Sequence, residues 1–433
     1  MITKNGYFVI YNSILLCFLS IIFSFSWLYV FSISFITFSL IESIIFLRAI
    51  KSLKYIEIKR IIADKCFRNV PIQVTLEIKS KKEIPYIIII DEIPSGFFYT
   101  EGKVGYKGKL RKGITKLNYV LLPKEIGKHE FQKIKMMIFD PFQLFFSEKE
   151  YKCNNIIKCY PIENAQMSSI VKSAIIYSVL GYKSTRRKGE GFEFYSTREY
   201  IMGDDLKRIA WYQVAKSPER KLYIIEKEEE GKNIFRIILI LNNTMFEGNE
   251  GERKIDMLTE ALISFSEVAL KYNTYIDLVV LYNDELASFT IRKRQELYSL
   301  IKYFGEIEGK SVISNLNKLI ELLNAHFRDS YILIIGDRGL IKLNTYELFE
   351  KCNKLRFNLL LLKSFAKEDI KDKIKSLLSE TEDIYLNSIK DKLAKFNLSI
   401  KIIYYDELLK EIIKAYNNSI RYNKMVEYEK RKI

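Results

Sequence analysis

Histidine and cysteine are scarce in this chain, with two His and five Cys in 433 residues. With His129 and His326 alone, a His-rich metal centre or a Ser-His-Asp triad has almost no raw material. Cys17, Cys66, Cys153, Cys159 and Cys352 form no Cys-x-x-Cys pair near a His, which argues against structural zinc. So few cysteines in so long a chain give no disulfide framework and suit a reducing compartment. Seven Pro and 18 Gly, thinly spread, exclude collagen-like and linker-dominated architectures. No Gly-x-x-x-x-Gly-Lys-Ser/Thr stretch occurs, so ATP cannot be cradled in the usual P-loop way.

What is present is apolar and basic: 48% hydrophobic residues, ample for two or three packed domains, and a formal net charge of +16. Lys and Arg are dispersed, with short clusters at Arg186-Arg187-Lys188 and Lys430-Arg431-Lys432. No recognised nucleic-acid fold accompanies them, so an anionic membrane surface is the simpler use for the charge and no specific nucleic acid is expected. From Gly6 to Leu47 the one formal charge is Glu42. A single helix of that length would be about twice the hydrocarbon thickness, so two spans are predicted, Tyr7–Ser24 and Trp27–Leu47. No small-residue cleavage site separates them, which disfavours a signal peptide. Lys4 before the first span and Arg48, Lys51 and Lys54 after the second place both ends of a hairpin, residues 1–51, in the cytoplasm. The expected location is the cell membrane, multi-pass, with the soluble domains cytoplasmic.

Residues 52–162 alternate in short β-rich runs, Ile72–Ile78, Tyr86–Ile90, Leu117–Leu121 and His129–Ile134, with turn signals at Ile93-Pro94-Ser95-Gly96 and Lys112-Gly113. They predict an immunoglobulin-like β-sandwich of about seven strands. Asp140-Pro141-Phe142 reads as a corner, the carboxylate accepting backbone N–H groups and Phe142 plugging the core. After the acidic run Glu226–Glu230, residues 231–433 alternate apolar strands (Ile234–Leu241, Tyr275–Leu281, Tyr331–Ile335, Leu359–Leu362, Leu398–Tyr404) with helical stretches such as Arg253–Tyr272 and Asn315–His326. That pattern is a doubly wound α/β domain, whose ligands sit beyond the carboxyl ends of its strands, here after Leu241 and Ile335.

Between these domains, residues 163–230 form a connector in which Arg, Glu, Tyr, Asp and Trp are closely interleaved. Gly203-Asp204-Asp205 suits a turn whose carboxylates cap N–H groups, Arg198 and Arg208 can pair with carboxylates, and Tyr200 and Trp211 would shield the network from water. The order Arg198-Glu199-Tyr200, Gly203-Asp204-Asp205, Lys207-Arg208, Ile209 and Trp211 resembles the hallmark of the domain-of-unknown-function family 58. The likeness extends to Asp91–Pro94, Glu125–Gly127, Asp140–Leu144 and Tyr160-Pro161, with Gln143 where the family tends to have Gly and Ala210 where it has an acidic residue. The resemblance implies a membrane-anchored protein that works with a MoxR-type AAA+ ATPase, and a von Willebrand A-like fold with a metal site of Asp-x-Ser-x-Ser type after the first strand. Here that loop reads Asn242-Asn243-Thr244-Met245-Phe246. Asn242 replaces the carboxylate, Phe246 offers no oxygen, and Asp337 is the remaining acidic candidate, so the site (Asn242, Thr244, Asp337) is read as vestigial: Mg²⁺ is poorly served, Asn242 hydrogen-bonds the loop and Phe246 packs.

The expected function is a non-catalytic scaffold or adaptor on the lipid bilayer that binds a protein partner and assists assembly or remodelling of protein complexes, with no catalytic residue and no cofactor. The alternative is an enzyme or metal-binding protein using Glu199, Asp204 and Asp205; the adjacent Arg198, Lys207 and Arg208 favour a structural network instead.

Overall fold

The computed structural model describes residues 2–23, 26–180, 188–219, 221–228, 233–249, 251–272, 274–327, 330–343, 345–352, 355–364, 373–396 and 398–430. Ser24, Arg186, Arg187, Glu229, Glu230, Arg431 and Lys432, named above, lie outside the described residues. The chain divides into two compact units, the first holding Met1–Pro161 with Glu250–Glu252 and Phe304–Glu308, the second Ile162–Asn249, Arg253–Tyr303 and Gly309–Ile433. Residues 163–230, expected as a connector, fall in the second.

The first unit begins with two helices, Lys4–Phe23 and Ser26–Ser52, each long and apolar enough to cross a membrane. Their burial is inverted relative to a water-soluble hairpin. The first helix buries Gly6, Ser13 and Ser20, and the Ser32 hydroxyl of the second donates to the Ser13 carbonyl at 2.9 Å. Tyr7, Phe8, Phe18, Ile21, Trp27 and Phe31 stay more than half exposed. Small residues at the helix contact with large apolar side chains outward is the packing expected in lipid, where close approach replaces the hydrophobic effect. Phe46 and Ala49 near the end of the second helix, and Leu53 just after it, enter the sandwich core.

Sheets of four and five strands follow. One runs in the order Ile56–Ile61, Ile72–Ser80, Gly113–Pro123, Phe97–Gly102; the other Lys65–Phe67, Phe146–Tyr160, Gly127–Phe139, Ile84–Asp91, Gly105–Leu110. All pairs are antiparallel except Lys65–Phe67 with Phe146–Tyr160. Alternate residues of both sheets (Ile56, Ile58, Leu76 and Ile78 against Ile87, Ile89, Ile134 and Met136) form a shared core, which is what period-two patterning requires.

Inside that core lies an ion pair that the alternation pattern conceals. Arg60 and Asp91 have fully buried side chains on different sheets. Arg60 Nε donates to Asp91 Oδ2 at 2.9 Å, Nη1 reaches the Cys153 carbonyl and Asn155 Oδ1, and the Tyr119 hydroxyl donates to Asp91 Oδ2 at 2.6 Å. Burial and the Asp91 carboxylate push the Tyr119 phenol far above its ordinary range, so it stays a donor.

The Asp140 corner forms as its composition demands: the fully buried carboxylate accepts from the N–H of Phe142 at 3.2 Å and of Phe145 at 2.6 Å. Phe142 does not plug the core. It is 59% exposed, with its ring 4.9 Å from that of Phe38 on the second apolar helix, so it meets the hairpin instead. Gln143 has φ +57°, a left-handed conformation that favours glycine.

In the second unit a six-stranded sheet runs Glu285–Ile291, Thr274–Tyr282, Asn233–Ile240, Tyr331–Asp337, Arg356–Leu362, Ser399–Ile403, parallel except for the first pair. From Asn233–Ile240 the chain winds first to one side and later to the other. The strand order therefore reverses there and opens a crevice beyond Ile240 and Asp337. Helix Lys254–Lys271 is buried on nearly every face, and helices Asn317–His326 and Lys373–Leu393 add Leu319, Leu323, Leu386 and Ile389 to the core.

Two outcomes test this account of the first unit. Asp91→Ala strands a buried guanidinium and should lower unfolding free energy by about 3–5 kcal/mol, whereas Arg60→Met with Asp91→Leu should cost far less, both read by chemical denaturation of the detergent-solubilised chain. Gln143→Gly should leave stability unchanged or raise it by up to about 1 kcal/mol in the same assay; a clear loss contradicts the strain at that corner.

Candidate functional site

The crevice is a cavity of about 460 Å³ whose lining includes Asn242, Asn243, Thr244, Ser311, Val312, Arg338, Gly339 and Tyr385. The three residues expected to form a vestigial metal site are brought together beside it, Asn242 and Thr244 in the lining and Asp337 buried behind Thr244. The strand ending at Ile240 breaks into a short turn, Asn243–Phe246, with Asn242 extended before it. Thr244 Oγ1 donates to Asp337 Oδ1 at 2.8 Å, and the Gly339 N–H donates to the same oxygen at 3.0 Å. A side chain at Gly339 would fall 2.6 Å from both Asn242 Nδ2 and Thr244 Oγ1, so the two loops meet closely there. The Asn242 side chain does not hydrogen-bond its loop as expected. Its Nδ2 is buried against Gly339 with no partner among the described residues, and the turn is closed by the Asn242 carbonyl accepting from the Met245 N–H. Phe246 packs edge-on to Tyr282 at 6.5 Å.

Beneath the loops lies a group that sequence reasoning missed. Lys254, the first residue of its helix, is fully buried, and its Nζ sits 2.8 Å from Asp337 Oδ2 and 3.3 Å from Glu382 Oε1. Glu382 also accepts from Ser364, N–H to Oε2 at 2.8 Å and Oγ to Oε1 at 2.7 Å. Every carboxylate oxygen here therefore has a donor. A signal existed: Lys254, Leu258, Ala261 and Phe265 share one helical stripe, and a lone Lys on an otherwise apolar stripe is a buried-charge candidate. The divalent cation that the resemblance implies does not fit these residues, because an ammonium already occupies both carboxylates. No group of three His, Cys, Asp or Glu able to hold a metal occurs among the described residues.

The signature residues form a second, separate cluster of the same unit. Arg198, near the end of strand Lys188–Glu199, holds Asp204 bidentately at 2.7 and 2.6 Å, while its Nε donates to Glu226 Oε1 at 2.8 Å on the paired strand Tyr223–Glu228. Gly203 adopts φ +109°, and Asp204 also accepts the Ile201 N–H. Asp205 accepts from the Lys207 N–H and starts the turn Leu206–Arg208. Tyr200 and Arg208 are half-buried. Glu199 points to solvent and meets Lys221 at 3.4 Å. Trp211 does not shield the network: it is 66% exposed at the start of helix Trp211–Lys216, because Ile209 and Ala210 take the buried positions before it. Ala210 is thus buried. Glu226, read in sequence as part of an acidic run, is the network's second carboxylate.

Clustered as counter-ions to one guanidinium, these carboxylates hold two strands and a turn in register. Arg198→Ala should therefore lower the melting temperature of the full chain distinctly more than Trp211→Ala, with Arg198→Lys between them because Lys lacks the planar fork. Equal shifts for the Arg198 and Trp211 variants, measured by circular dichroism, would contradict the assignment.

No family model matches the chain, and no curated protein matches it. Among solved structures, the chain is similar to the VWA domain of SpRpn10 (10% identity, 42% of this chain and 94% of that one, TM-score 0.25). It is also similar to a FixG-related protein from Vibrio parahaemolyticus (16% identity, 24% of this chain and 97% of that one, TM-score 0.17). A third is the CARDB domain of a Pyrococcus furiosus protein (11% identity, 25% of this chain and 94% of that one, TM-score 0.18). With scores this low, the architecture of apolar helices followed by sheet domains rests on the chain's own strand order and packing.

Proposed function

We propose that this chain is a membrane-anchored, non-catalytic adaptor of the domain-of-unknown-function family 58 type, which engages a protein partner through the crevice of its von Willebrand A-like domain. The observation that carries the reading is the crevice. It stands at the switch point of a parallel sheet, where such folds bind ligands, and its lining combines amide, hydroxyl and apolar groups with the Arg338–Glu247 ion pair. Asp337, the carboxylate buried behind the lining residues Thr244 and Gly339, is engaged by both of them and by Lys254, so it is poorly placed to act as acid, base or nucleophile. The carboxylates of the signature are likewise engaged: Asp204 by Arg198, Asp205 by a backbone N–H. Both features favour binding over catalysis.

Anchoring is supported by the inverted burial of the hairpin, and a cytoplasmic orientation by Lys4, Arg48, Lys51 and Lys54. The partner that the family resemblance suggests is a MoxR-type AAA+ ATPase, which would supply the nucleotide chemistry for which this chain has no P-loop. Dispersed positive charge then serves the lipid surface rather than nucleic acid.

The full chain in detergent micelles should bind a purified MoxR-type ATPase, and Val312→Trp, which fills the crevice mouth from an exposed position, should weaken binding by about tenfold or more without changing the circular dichroism spectrum. Undiminished binding by that variant, or none by the native chain, sinks the reading. For the anchor, protease added to right-side-out cells should leave the chain after Lys51 intact; digestion from outside reverses the proposed orientation.

A further inference from the structure

We propose that the Lys254 ammonium takes the permanent place of a divalent cation in this crevice, so that the domain carries its own covalently attached counter-ion. The claim concerns the crevice itself and stands whether or not the partner is an ATPase. Two carboxylates converge on Lys254, Asp337 from the end of its strand and Glu382 from helix Lys373–Leu393, and each accepts in turn from a hydroxyl, Asp337 from Thr244 and Glu382 from Ser364. Two carboxylates brought from separate elements to one point, with hydroxyl oxygens beside them, are the kind of oxygen ligands a hard cation takes. Here a positive charge already occupies that point, and the side chains of Lys254, Asp337 and Glu382 are at most 2% exposed.

The charge count agrees. A site with an aspartate at position 242 would gather three carboxylates, too many for one ammonium. With Asn242 it gathers two, and the residual unit of negative charge is spread over donors from Thr244, Gly339 and Ser364. Asn242 and Lys254 are thus matched in charge, a neutral side chain beside a monovalent cation. A divalent ion would have to displace the ammonium, which has no solvent to retreat into. The crevice consequently holds one charge state at any metal concentration, and whatever it binds is bound without metal.

The test is Mn²⁺ uptake by the full chain in detergent, read by electron paramagnetic resonance and by thermal melting. The native protein should take up no Mn²⁺ that depends on Asp337 at millimolar concentration. Lys254→Ala should take up one ion per chain, with a higher melting temperature in its presence, and lose both when Asp337→Asn is added. If Lys254→Ala is unfolded alone, Mn²⁺ should restore a cooperative melt, because metal binding and folding are then linked. Mn²⁺ bound by the native protein and released by Asp337→Asn overturns the proposal, as does Mn²⁺ that neither binds Lys254→Ala nor restores its fold.

Discussion

An ammonium group with no access to water governs the second unit. A buried charge is tolerated only when paired and hydrogen-bonded, and Lys254 meets that condition by drawing Asp337 and Glu382 to one point. Those carboxylates are each held in turn, Asp337 by Thr244 and Gly339, Glu382 by Ser364. Loops following three different strands, Asn233–Ile240, Tyr331–Asp337 and Arg356–Leu362, are thereby tied to the first turn of one buried helix. Thr244 and Gly339 of the crevice lining are thus linked, through Asp337, to one buried cation.

The first unit solves an analogous problem with a guanidinium. Arg60 joins the two sheets through Asp91 and the Cys153 carbonyl, and Tyr119 completes the carboxylate's shell. Apolar packing alone gives a sandwich latitude in how its sheets slide; a bidentate pair with a third donor removes much of it. In the hairpin the logic reverses, with hydroxyls and glycine inward and aromatics outward, because the surrounding solvent it suits is hydrocarbon. Both sheet domains place charges inside and rely on geometry to keep them there.

Much of this was legible in the sequence where the signal is local. Apolar runs mark the two helices and the inner parallel strands, and close spacing leads to the Arg198–Asp204 fork because its partners are six residues apart. Strands with weak alternation escaped notice: Phe97–Gly102 buries one residue of six, and Glu285–Ile291 is an edge. What was not legible is long-range. Lys254 and Glu382 are 128 residues apart and meet only through the fold, and nothing in the spacing of Arg60 and Asp91 pairs them until two sheets face each other. Trp211 misleads for the opposite reason, since aromatic character suggests burial while the helix it opens faces solvent.

The central claim is that the crevice captures a protein partner without a metal. The most direct measurement places a photoreactive phenylalanine at Tyr385, a half-exposed residue of the crevice lining, in the full chain in its native membrane. The account predicts a discrete protein adduct on illumination, undiminished by a divalent-metal chelator. Absence of any adduct, or an adduct abolished by the chelator and restored by Mg²⁺, would contradict it.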